Sequence, residues 1–120
     1  AGISVSANLP DFRSPGGLYD QLRKTTNITA PETIFTGEFL NSNPELFFEV
    51  VKKLQTDHVK PTLTHCFIKL LHERRLMRRC YTQNIDCLER KAGVPEKLLV
   101  ECHGTTASAR CHICQKQYTK

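Results

Sequence analysis

His103-Gly104 follows a short apolar-leaning run, Leu98 to Glu101, and so reads as lying at the end of a strand. An imidazole delivered there can accept a proton near neutrality if something keeps the ring neutral and aimed, although a lone histidine serves as often as a structural hydrogen-bonder. His58, His65, His72 and His112 have weaker claims, His65 as a hydrogen-bonder on a helix face and His72 beside Glu73 as a solvated side chain. Asn84 and Asp86 flank one apolar residue, Ile85, just after Arg78 to Thr82. In an extended loop their side chains share one side and can grip a sugar hydroxyl and a carboxamide; equally, Asp86 can cap the next helix while Asn84 shapes the turn.

Asp11-Phe12-Arg13 sets an acid, a large ring and a cation in a Gly- and Pro-rich stretch. The ring can cover a flat ligand and the guanidinium can meet a phosphate, or Phe12 can anchor a loop whose two charges pair at the surface. Cys111-His112-Ile113-Cys114 has the spacing of half a zinc knuckle, two thiolates at adjacent corners of a tetrahedron. Cys102 and His103 are candidates to complete a Cys3His centre, and a redox dithiol is a third reading of the pair. Arg74-Arg75-Leu76-Met77-Arg78-Arg79 reads as a solvated helix end where cations offset the dipole, in preference to a nucleic-acid patch.

The elements that must position these groups follow from punctuation and periodicity. Residues 1–19 read as a long loop with a helical turn near its start. Thr25 to Gly37 is irregular, with a turn of helix after Pro31. Asn43-Pro44-Glu45 supplies a cap, a first-position proline and an early acid for a helix carrying Leu46, Phe47, Val50, Val51 and Leu54. Pro61 opens a second helix with Leu63, Cys66, Phe67, Leu70 and Leu71 as its stripe. Arg78 to Thr82 is a strand, Leu88 to Ala92 a short helix stopped by Gly93, and Leu98 to Glu101 a second strand. Strand, helix, strand predicts a parallel α/β sheet that binds ligands at the carboxyl ends of its strands.

Composition narrows the class. One hundred and twenty residues make a single small domain's worth of chain, which excludes a complete two-domain enzyme. No apolar run approaches the roughly 18 residues of a membrane span. Seventeen Lys and Arg against twelve Asp and Glu give a net charge of +5, which favours polyanionic partners without choosing among them. Of six cysteines only Cys111 and Cys114 are closely spaced; Cys66, Cys80, Cys87 and Cys102 read as reduced thiols in apolar surroundings, hence a reducing compartment.

In series, Ala1-Gly2-Ile3-Ser4, Pro10-Asp11-Phe12-Arg13-Ser14, Gly17-Leu18-Tyr19, Gln83-Asn84-Ile85-Asp86, Leu88-Glu89, Ala92-Gly93, His103-Gly104-Thr105 and Cys111-x2-Cys114 resemble the sirtuins, NAD-dependent protein lysine deacylases of the transferase type. The resemblance runs the whole length and implies an α/β fold, a partial Rossmann-like parallel sheet with a helical insertion and the first half of a zinc-binding module. It implies a partial NAD-binding domain over residues 1–106, with a cofactor-binding loop at about 1–24 and the insertion at about 25–60. Residues 107–120 would begin the zinc module. The chain looks like the N-terminal two fifths to one half of a catalytic domain and is expected to be inactive alone.

The implied chemistry is removal of acetyl groups from lysine side chains, giving nicotinamide and O-acetyl-ADP-ribose. The resemblance assigns His103 as catalytic base; Ala1, Gly2, Asp11, Phe12, Arg13, Tyr19, Gln83, Asn84, Ile85, Asp86 and His103 to NAD; and Cys111 and Cys114 to a structural zinc. The expected partners are acetylated protein lysines, of histones or metabolic enzymes, with neither a membrane nor direct nucleic-acid contact. The expected location is intracellular: mitochondrial, cytoplasmic or nuclear. Departures are Asn8-Leu9 in place of Gly-Ile, one residue fewer between Ser14 and Tyr19, and Thr106 in place of phenylalanine. The rival reading is a non-catalytic zinc-ribbon or nucleic-acid-binding module using Cys102, His103, Cys111 and Cys114.

Overall fold

The computed structural model describes residues 1–54 and 56–119, in two compact units, Ala1–Gln55 and Thr56–Lys120. The first opens with one helical turn, α1 (Gly2–Val5), as expected near the start of the loop. A bend at Asp11–Gly17 then launches α2 (Leu18–Thr25), a helix the sequence did not announce. Its start depends on Gly17: a Cβ there would stand 2.7 Å from the Asp11 carbonyl and carboxylate oxygens, so only glycine fits.

Leu18 and Leu22, one turn apart on α2, meet Ile34 and Val50 in the core of this unit. Ile34 comes from a 3-10 turn, Pro31–Phe35, where proline pre-sets the first backbone angle. Thr36 accepts the Phe39 N–H at 3.2 Å to begin α3 (Gly37–Ser42). Next comes α4 (Pro44–Lys53), with Pro44 at its first position as read; Asn43 precedes it without a side-chain capping bond.

In the second unit α5 (Leu63–Glu73) departs from expectation in the face it buries. Leu63, at 90% exposure, and Phe67, at 56%, point to solvent, whereas His65 is fully buried. The unit covers the His65 and Lys69 side of α5 because α6 (Leu88–Lys91) and Gly93 pack there; a Cβ on Gly93 would stand 2.9 Å from Lys69 Cε. Cys66 and Cys102 are also exposed and the half-buried Cys87 sits among polar oxygens, so the apolar surroundings expected for these cysteines hold at most for the half-buried Cys80. Burial pushes the Cys80 thiol above its ordinary range.

Strands β1 (Cys80–Thr82) and β2 (Leu99–Glu101) pair in parallel, with Cys80 opposite Leu99 and Thr82 opposite Glu101. The crossover is α6, stopped by Gly93 at φ +94°, and a 3-10 turn, Glu96–Leu98. This is the short parallel α/β sheet expected from the strand, helix, strand order. Leu88 and Val94 are buried beneath the crossover. A separate antiparallel hairpin, β3 (Ser108–Arg110) with β4 (Gln117–Thr119), closes the described chain. No helix among the described residues is long and apolar enough to cross a membrane.

The core assignment has a direct consequence. Ile34→Ala is expected to cost about 2–5 kcal/mol in equilibrium chemical unfolding followed by circular dichroism. Phe48→Ala, at a site 55% exposed, is expected to change stability by no more than about 0.5 kcal/mol. Equal losses would contradict this assignment.

Candidate functional site

Beyond the last ladder pair, the two parallel strands run on side by side and are tied by a different set of bonds. The Cys102 N–H donates to the Thr82 carbonyl at 2.9 Å. One residue further along each chain, His103 Nδ1 lies 3.0 Å from the Gln83 carbonyl oxygen. A carbonyl only accepts, so Nδ1 of the exposed ring carries a proton, and in the neutral tautomer that this bond selects the lone pair is on Nε2. Gly104, at φ +82°, turns the chain sharply after the histidine and donates to the Glu101 carbonyl at 3.1 Å.

The loop that faces His103 is fixed residue by residue. The Asn84 N–H donates to Thr82 Oγ1 at 3.1 Å, and Thr82 is itself buried. The Ile85 carbonyl accepts the Thr106 hydroxyl at 2.9 Å. Asp86 Oδ1 accepts the Leu88 N–H at 3.0 Å while its carbonyl accepts the Thr56 hydroxyl at 2.8 Å. The N-cap position of α6 is Cys87, so Asp86 does not stand at the cap as one of the two readings had it; its carboxylate takes the N–H two residues on, and Asn84 and Asp86 share the loop whose Gln83 carbonyl meets the imidazole. Cys87 sits at φ +61°, a left-handed conformation that costs a non-glycine residue on the order of 1 kcal/mol or more and persists only where its surroundings impose it.

His65 hydrogen-bonds from a helix face as read, but its partner, the Arg90–Glu101 pair and the bonds of Lys91 went unread in the sequence. Thr62 and His65 form a capping box at the start of α5, the Thr62 N–H donating to His65 Nδ1 at 3.2 Å. That bond leaves the proton of a neutral ring on Nε2, which is buried without a hydrogen-bond partner, and a ring nitrogen of His65 lies within 4.8 Å of carboxylate oxygens of Asp86 and Glu89. The Thr-x-x-His spacing was the available signal. Arg90 holds Glu101 with two bonds, Nε to Oε1 at 2.9 Å and Nη2 to Oε2 at 2.6 Å, and reaches Glu96 at 3.1 Å. The guanidinium, together with the Thr105 hydroxyl, holds the Glu101 carboxyl below its ordinary range. Lys91 donates to the carbonyls of Thr56, Asp57 and Val59, which secures the segment leading into α5.

In the first unit, Asp11 organises the bend that carries Phe12 and Arg13. Its carboxylate accepts both the hydroxyl and the N–H of Ser14, which hold it below the usual carboxylate range. Its carbonyl accepts the Leu18 N–H at 2.8 Å. Phe12 stacks edge-on against Tyr19 and Phe35, with centroids 5.6 and 5.9 Å apart, so the ring is anchored and Arg13 stays exposed. Ala1 precedes Gly2 at the N-terminal end of α1.

Cys111 and Cys114 occupy the turn between β3 and β4. The backbone N–H groups of Cys114 and Ile113, then the Cys114 thiol, lower the Cys111 thiol below its ordinary value, as suits a thiolate donor. The Gln115 N–H donates to the Cys111 carbonyl at 2.9 Å, with Gln115 at φ +60°. Among the described residues, the only group of three potential metal ligands within 4.8 Å of one another is His65, Asp86 and Glu89. The rival expectation that Cys102, His103, Cys111 and Cys114 share one centre is thus corrected, since among the described residues no three of their ligand atoms lie within 4.8 Å of one another.

Comparison with known proteins bears on this arrangement. The model of the Sir2 family matches residues 1–120. The NAD-dependent protein deacetylase hst2 of Schizosaccharomyces pombe is 48% identical over 115 residues, 95% of this chain and 34% of the relative. The NAD-dependent protein deacetylase sirtuin-3 of Mus musculus is 48% identical over 119 residues, 98% of this chain and 35% of the relative. The NAD-dependent protein deacetylase sirtuin-2 of Danio rerio is 48% identical over 122 residues, 99% of this chain and 32% of the relative. The chain thus spans about a third of the length of these relatives.

The Arg90–Glu101 pair predicts a pH dependence of known sign. A carboxyl whose folded value lies below its unfolded one stabilises the fold above the unfolded value and loses that contribution as pH falls through the folded one. Stability should therefore decline as acid is added below the ordinary value of 4.5, and Glu101→Gln should flatten that decline. Thermal unfolding across pH 3–6 is the check, and an identical slope in both proteins would refute it.

Proposed function

This chain belongs to the Sir2 family, and on that premise we propose that it supplies the proton-accepting and nicotinamide-binding residues of an NAD-dependent protein lysine deacetylase. The observation that carries the reading is His103 Nδ1 at 3.0 Å from the Gln83 carbonyl. In the neutral ring that bond puts the acceptor lone pair on Nε2, at the strand tip that adjoins the loop bearing Asn84 and Asp86. The names of the relatives, each an NAD-dependent protein deacetylase, support the same reading.

When bound, NAD would supply a ribose whose carbon exchanges nicotinamide for the acyl-lysine oxygen and whose hydroxyl then receives the acyl group, with water completing the release of free lysine. The donor chemistry of these residues fits it. His103 Nε2 accepts the proton of a ribose hydroxyl, and the Gln83 carbonyl stabilises the ring as it becomes charged. Asp86, held in place at its carboxylate and its carbonyl, accepts from the carboxamide nitrogen, and Asn84 supplies an amide to the same group or to the ribose. Gln83 and Ile85 contribute backbone to the pocket. In the first unit Ala1, Gly2, Asp11, Phe12, Arg13 and Tyr19 form the cofactor-binding loop, with Arg13 as the phosphate contact and Phe12 as the ring that excludes water.

Residues 1–106 then form part of a Rossmann-like NAD-binding domain, and 107–120 the start of a zinc-binding module. Cys111 and Cys114 suit a structural zinc: hydrogen bonds to the Cys111 sulfur favour the thiolate, and the two thiols are adjacent. They supply two of four corners. The substrates are acetylated lysines of intracellular proteins, histones or metabolic enzymes, in mitochondria, cytoplasm or nucleus.

In a polypeptide of the relatives' full length containing this chain, His103→Ala should lower the deacetylation rate by about 10²–10⁴-fold. Zinc content by elemental analysis should stay unchanged. An unaltered rate would refute the assignment of the base, and loss of zinc would restore histidine to the metal site.

A further inference from the structure

We propose that Thr106, acting with the thiol of Cys87, is a positioning residue that fixes the Asp86 loop for nucleotide binding. The inference rests on the nicotinamide-binding reading of Asp86 given above. Past Thr82 and Glu101 the strand ladder has ended, and the loop must be held by other bonds. On its C-terminal side Asp86 is tied by the Leu88 N–H and the Thr56 hydroxyl. On its N-terminal side, the Thr106 hydroxyl donates at 2.9 Å to the Ile85 carbonyl, part of the peptide unit that enters Asp86. Fixing that carbonyl fixes the peptide plane preceding Asp86, and with it the direction in which Asp86 leaves the backbone.

The thiol of Cys87 closes the arrangement. Its sulfur lies 3.3 Å from Thr105 Oγ1, 3.4 Å from Thr106 Oγ1 and 3.6 Å from the Ile85 carbonyl oxygen. A left-handed residue with its side chain held among two hydroxyls and a carbonyl is a backbone constrained by its surroundings. The hydroxyls follow directly on His103-Gly104, so one clasp sets the spacing between the segment that accepts the proton and the loop that reads the carboxamide.

The test compares Thr106→Val, which keeps the volume and removes the hydroxyl, with Thr106→Ser, which keeps the hydroxyl, in a polypeptide of the relatives' full length. Loss of one hydrogen bond at a positioning site should raise the calorimetric Kd and the KM for NAD about five- to tenfold in Thr106→Val, while kcat changes about twofold at most. Thr106→Ser should bind NAD as the unmodified protein does. In ligand-free protein, amide exchange at Leu88 and Asn84 should quicken in Thr106→Val and not in Thr106→Ser. Cys87→Gly, which relieves the left-handed strain, should weaken NAD binding without lowering the thermal midpoint. Equal weakening by valine and serine, or undiminished binding by Thr106→Val, would overturn the proposal. NAD binding unaffected by Asp86→Ala would instead sink the nicotinamide reading itself, while the exchange data would still judge the clasp.

Discussion

The parallel pairing of β1 with β2 is the constraint on which the candidate site depends. Three residue pairs form the ladder, from Cys80 with Leu99 to Thr82 with Glu101. Its direction guarantees that both strands deliver their following residues at the same end. An antiparallel pair would send Gln83 and His103 to opposite ends. The bonds from Cys102 to Thr82, from His103 to Gln83 and from Thr106 to Ile85 extend the pairing into the loops, first through backbone, then through a ring, then through a hydroxyl. This gradation keeps the backbone in register while leaving side chains free of the ladder.

The half-buried charges at the crossover support these tips. Arg90 on the crossover helix grips Glu101, the last residue of β2, so the helix that joins the strands also anchors the strand carrying His103. Both partners are largely shielded, which makes such a pair costly to break from one side. His65 approaches from α5 with its ring buried and one of its nitrogens within 4.8 Å of Asp86 and Glu89. Two helices thus bring polar groups to the underside of a loop whose upper side is proposed to bind a nucleotide.

Much of this was legible in the residues. Pro44, Pro61 and Gly93 marked helix limits because a missing donor or a positive φ leaves few alternatives. The polar runs after Arg78–Thr82 and Leu98–Glu101 stood out because strands of an α/β sheet carry function at their ends. Other features left no such trace. Helix α2 starts through a contact between Gly17 and Asp11 that propensity does not encode. The stripe on α5 obeyed helical periodicity yet faces solvent, because periodicity locates an apolar face without saying what covers it. The bond from Thr106 to Ile85 spans 21 positions and has no spacing rule. The hairpin around Cys111 consists of three-residue strands too short to show alternation.

The crossover between β1 and β2 also bears on the order in which the molecule assembles. Parallel strands meet only after the intervening segment has closed, and such non-local pairing is slow compared with the formation of a helical turn. On that principle the imidazole and its carbonyl partner, 20 positions apart, are expected to meet after the local turns of α6 have formed. Substitutions confined to the strand tips should then hasten unfolding more than they slow folding, since their bonds are still unmade at the barrier. The strand tips are then expected to be the part least committed at the folding barrier, where substitution carries little kinetic penalty.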